Sequence, residues 1–103
     1  MQKKDPDLRR IIEGCLNNDL KAEQQLYKTF YGYISGVAFR YLREKEMIKE
    51  VVNDSFVKIF SKLGNFQFDG ADADFSKMFK GWIGRITANL AIDKLRAHKQ
   101  LLY

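Results

Sequence analysis

The residues from Phe75 to Lys99, FSKMFKGWIGRITANLAIDKLRAHK, contain no proline and repeat apolar residues at helical spacing along two different sides. Phe75, Phe79, Trp82, Ile83, Ile86 and Leu90 recur at steps of three and four on one side. Gly81, Arg85, Ala88, Ile92, Arg96 and Lys99 do the same on another, with Asn89 along its edge. Trp82 sits near the boundary of the two stripes. A helix of this length has to lie across whatever domain contains it, with its aromatic back buried and its basic front in solvent. Such a front suits nucleic acid; the plainer reading is a solvated basic face.

The charge distribution narrows the choice. The chain has 103 residues and a net charge of +5. Residues 77–103 hold six cations against Asp93, and residues 21–43 hold four against Glu23. Residues 64–76 hold only Asp69, Asp72 and Asp74. Positive charge concentrated in two segments attracts phosphate, with binding that weakens as salt rises. A hydrophobic content of 46% suits one packed domain spanning 1–103. The uncharged runs are too short to cross a bilayer and no leader opens the chain, so a cytoplasmic protein without a membrane role is expected.

The remaining segments read as helices. Asp5-Pro6-Asp7 suits a helix start, and Leu8, Ile11, Ile12, Cys15 and Leu16 give a short amphipathic helix over 7–16. Asn17-Asn18-Asp19 breaks it and caps a second helix over 20–42. That helix has too many apolar positions for one stripe, so it should pack on several neighbours; Gly32 and Gly36 would let another helix approach. A third helix over 45–63 ends at Gly64, a C-cap by composition. Its opposite side carries Glu46, Glu50, Asn53, Asp54 and Val57, an acidic strip with an apolar centre. Residues 64–74 form a loop, longer than helical domains usually use. Asp72 or Asp74 then caps the last helix, over 75–101. The fold class is all-α, a compact bundle of about four helices with a long C-terminal helix.

Catalytic signatures are missing: there is no phosphate-cradling glycine loop, nucleophile elbow or histidine metal motif. Cys15 and His98 are the only residues of their types and read as structural. Asp69, Asp72 and Asp74 lack the pattern of a calcium loop. No enzyme activity, metal or cofactor is expected.

Three blocks then carry a resemblance. WIGRITANLAIDKLR resembles W-L/I-x-x-I-A-x-N-x-x-x-D-x-x-R. KEVVNDSFVKIF resembles E-D-L-V-Q-E-V-F-x-x-L/I-W/F, and AEQQLYKTFYGYISGVAFRYL resembles A-F-x-x-L-Y-x-x-Y followed by an apolar helix. In this order they resemble region 2 of bacterial sigma factors, specifically the extracytoplasmic-function group, over about Asp19 to Lys99. Asn53, Ile48, Lys49 and Thr87 depart from the usual residues.

The resemblance implies a promoter-recognition and promoter-melting domain of an alternative sigma factor. Its partners would be core RNA polymerase, through the clamp helices of the largest subunit, and the non-template strand of the minus-ten promoter element. An anti-sigma factor is a further partner class that the family allows. Glu50, Asn53 and Asp54 fall on the polymerase-docking positions. The loop matches the segment that takes a flipped base, with Asn65 and Gln67 to hydrogen-bond it and Phe66 or Phe68 to stack on it. Arg85, Asn89, Arg96 and Lys99 lie on the DNA-facing side of the last helix, the cations on phosphates. Trp82 is expected in the core. Asp93, five turns after Phe75, is expected to face the core and pair with Arg40. Family members carry a second promoter-reading domain, for which a chain ending at Tyr103 leaves no room, so either an excised fragment or loss of that domain is expected. The alternatives are another helical DNA- or RNA-binding regulator and a protein-interaction bundle.

Overall fold

A computed structural model describes residues 8–67 and 70–102 of the chain. The expected cap at Asp5-Pro6-Asp7 lies outside the described residues, as does Phe68. Among the described residues four helices follow one another: α1 (Leu8–Leu16), α2 (Leu20–Tyr41), α3 (Lys45–Lys62) and α4 (Asp72–Leu102), with a 3-10 turn at Leu63–Asn65. No strand occurs among the described residues. At about 1.5 Å per residue, the 31 residues of α4 account for most of the 52 Å long axis.

The helix ends show why the chain breaks where it does. Asn18 takes a left-handed φ of 60°, which turns the chain out of α1. The Asp19 carboxylate accepts a 3.0 Å hydrogen bond from the Lys21 amide, capping α2 as its position implies. The end of α3 differs from expectation. Gly64 has no positive φ; the helix tightens into the 3-10 turn, and the Phe66 amide donates to the Leu63 carbonyl at 3.2 Å. Leu63 is buried there, and its burial holds the chain inward. Helix α4 starts three residues earlier than expected. Asp72 and Asp74 therefore stand inside its first turn instead of capping it, and the exposed Asp74 carboxylate complements the helix dipole there.

Helix α4 packs on both α2 and α3, α2 packs on α1 and α3, and the core lies between them. The crowding of apolar residues on α2 thus reflects three neighbours. Leu26, Ile34, Ile59, Phe79 and Ile83 are fully buried, and the Phe30 and Phe79 rings meet at 5.4 Å. Truncating a buried phenylalanine such as Phe79 to alanine typically costs about 3–5 kcal/mol. Among the described residues the buried polar side chains Ser55 and Thr87 satisfy themselves locally: Ser55 donates to the Val51 carbonyl at 2.6 Å, and Thr87 to that of Ile83 at 3.1 Å. Close helix approach occurs at other glycines than Gly32 and Gly36. A Cβ added at either of those meets nothing within 4 Å, whereas one at Gly14 would lie 2.6 Å from the Ala22 Cβ, and one at Gly84 2.5 Å from the Tyr33 hydroxyl. Tyr33 also donates to the Lys80 carbonyl at 3.1 Å, fixing α2 against α4.

The buried track on α4 explains a second correction. It runs through Phe75, Phe79, Ile83, Thr87 and Ala91 at steps of four. Each step advances about 40° round a helix of 3.6 residues per turn, so by Ala91 the track lies about 160° from Phe75. Asp93, in line with Phe75, consequently points to solvent. Its side chain is 70% exposed and sits 3.9 Å from Arg96, and Arg40 is exposed on α2. The expected Arg40–Asp93 core pair does not form. A cross-helix ion pair runs instead from Lys94 of α4 to Glu50 of α3.

Candidate nucleic-acid interface and docking face

The turn after α3 brings the loop against the first third of α4. Phe66 is the anchor. Its ring meets Phe75 at 5.6 Å and Phe79 at 5.2 Å edge-on, and Trp82 at 5.3 Å. Such pairs add about 0.5–1.5 kcal/mol each beyond area burial. With three aromatic partners, Phe66 is half-buried and holds the loop down, and it also borders the cleft described next. Arg9 of α1 lies 4.1 Å above the Phe75 ring on the far side of the same cluster.

The anchored loop and α4 enclose a cleft of about 530 Å³. Asn65 and Gln67 line it from the loop side, and Lys77, Gly81 and Arg85 from α4. Phe66, Met78 and Trp82 complete its apolar wall. Trp82 therefore has two faces: its ring packs 5.8 Å from Phe79 in the core, and it also borders the cleft. Of the residues expected to meet DNA, Asn65, Phe66, Gln67 and Arg85 come together here. Sequence reasoning missed Lys77 and Met78. The signal for Lys77 is simple, because it extends the Gly81–Arg85 stripe back by one step of four. Met78 is 47% exposed, a large apolar side chain left uncovered one turn before Trp82.

Asn89, Arg96 and Lys99 lie further along α4, outside the cleft and exposed. With Arg85 they span an arc of about 80° at 100° per residue, so the front is one strip. Arg96 shares it with its weak partner Asp93, at 3.9 Å between two largely exposed side chains. The interface thus divides at Arg85: a concave part with amides and an apolar wall, then a convex strip of charge.

The acidic strip on α3 is exposed as expected. Glu46, Glu50, Asn53 and Asp54 all reach solvent, and Val57 is 69% exposed among them. Glu50 is held by Lys94, while the side chains of Asn53 and Asp54 have no hydrogen-bond or ion-pair partner among the described residues. Among the described residues there is no group of three or more ligating side chains that could hold a metal, and no helix is long and apolar enough to cross a membrane.

The chain is 27% identical over 88 residues to the RNA polymerase sigma-H factor of Pseudomonas aeruginosa, an alignment covering 85% of this chain and 42% of that protein. The chain thus spans less than half the length of that curated relative. The family model for sigma-70 region 2 matches residues 26–100, which include α3, the cleft and nearly all of α4. The chain belongs to the sigma-70 region 2 family.

Proposed function

We propose that this chain is the promoter-recognition and promoter-melting domain of an alternative sigma factor, cytoplasmic and without catalytic activity of its own. The exposed face of α3, with Glu50, Asn53 and Asp54, docks on the clamp helices of the largest RNA polymerase subunit. The cleft and the front of α4 take the non-template strand of the minus-ten element. The observation that carries this reading is the cleft itself. It places the amides of Asn65 and Gln67 opposite Arg85 against an apolar wall, at the head of a basic strip.

The chemistry suits melting. A base inside a duplex hides its pairing edge, and turning it out exposes that edge and a ring face. A pocket that satisfies both lowers the free energy of the open strand alone, while the cations beyond it hold the backbone. Polymerase would carry out the polymerisation chemistry.

The docking half is tested by capture of a clamp-helix fragment. Asp54→Lys should weaken capture markedly while shifting the unfolding midpoint little, because exposed substitutions usually stay within about 0.5 kcal/mol. Undiminished capture by Asp54→Lys would remove the docking assignment.

A further inference from the structure

We infer that the cleft selects a base bearing a ring carbonyl and disfavours adenine, with Lys77 and Arg85 as the discriminating donors. This rests on the reading of the cleft as the seat of a flipped base. The side chains that line it are unequal in hydrogen-bonding sense. An ammonium and a guanidinium can only donate, whereas an amide can do either. Lys77 and Arg85 both border the cleft, and among the described residues neither has a carboxylate partner. Both cations thus border the cleft with donors that a ligand seated there can meet. Asn65 and Gln67 can turn their amides to suit whatever edge is presented.

The four bases differ in what they offer such a wall. Thymine presents two carbonyl oxygens, cytosine one beside a ring nitrogen, and guanine O6 beside N7, the pair that Arg and Lys read most often. Adenine has no carbonyl. Its exocyclic amino group would meet the cations donor to donor, leaving only ring nitrogens to accept. The apolar side formed by Met78 and Trp82 gives any base a surface for its ring and so does not discriminate. Discrimination then falls on the polar side.

Arg85 thereby takes a different role from Arg96 and Lys99. Those two stand outside the cleft on the convex strip, where the accessible partner is the phosphate backbone.

The test isolates one base. Labelled strands of abasic sites carry a single central deoxyadenosine, deoxyinosine, thymidine or no base, and fluorescence anisotropy reads their affinity for the full chain. Inosine differs from adenosine by a carbonyl in place of the amino group and an N1–H in place of a bare N1, with ring size and shape conserved. Inosine and thymidine should bind about tenfold tighter than adenosine, in line with the discrimination of a good side-chain-to-base contact. The gap should close in Lys77→Met combined with Arg85→Met, two exposed positions whose folding is checked by circular dichroism. Equal binding of inosine and adenosine, both tighter than the abasic strand, overturns the inference and leaves the cleft as a base site. A gap that persists in the double variant overturns the assignment to Lys77 and Arg85. If no base binds tighter than the abasic strand, the reading of the cleft as a base site fails, and the inference with it.

Discussion

Cys15 shows how the bundle settles the chemistry of a single residue. It is buried between α1 and α2, and desolvation pushes its thiol up to about 11, with Glu23 and Asp19 adding to the rise. The folded state thus holds this proton more tightly than the unfolded chain, whose thiol has a pKa of 9.0. The stabilisation is fully present below about pH 9 and is lost as pH rises through about 11. Denaturant unfolding of the wild type and Cys15→Ala, compared from pH 8 to 11, should show the wild type losing more stability over the alkaline interval. A constant difference across that range would contradict the burial argument. Other residues were legible to different degrees. Asp19 declared itself as a cap because a short carboxylate before an apolar run has few other uses there. Asp93 misled, because five whole turns from Phe75 is the core side only on a helix whose neighbours stay on one side. Helix α4 instead crosses from one neighbour to the next, and its buried track turns with it.

At the scale of elements, α4 carries two different surfaces that one periodic stripe concealed. Helix periodicity revealed all four helices to within a few residues, since each has a buried face long enough to repeat. It separated poorly what happens along the exposed front. Gly81, Arg85, Arg96 and Lys99 share that front, yet the loop reaches only the first two. Loop placement depends on Phe66 finding Phe75, Phe79 and Trp82, a tertiary packing with no local period. The same packing gives Phe66 a structural part, as anchor of the loop, that composition alone did not show. A division of labour along α4 follows. Arg96→Ala or Lys99→Ala should weaken binding to all single-stranded sequences alike, and should reduce the salt slope by about 0.7 for each phosphate no longer neutralised. Salt titrations on two unrelated oligonucleotides check this; weakening confined to one sequence would place those side chains on bases.

Across the whole molecule, two exposed surfaces of opposite character are held on one frame. The acidic strip of α3 presents carboxylates around Val57, and the front of α4 presents cations. The two helices pack together, and Glu50 and Lys94 tie them at the surface. An exposed pair of this kind contributes at most about 1 kcal/mol, so the frame depends on the apolar core beneath it. The carboxylates and the cations thus lie on separate helices, so the two surfaces are exposed side by side on one frame. The cleft lies where the loop after α3 meets α4, so it inherits its position from both helices. What it is built to hold is therefore the central question, and the state of the DNA answers it most directly. Fluorescence anisotropy should compare a labelled promoter non-template strand with the duplex of the same sequence, at matched salt. Tighter binding to the single strand, with the preference abolished when residues 65–67 are replaced by glycines, is the expected result. Equal affinity for both forms, or a preference for the duplex, would contradict capture of an opened strand.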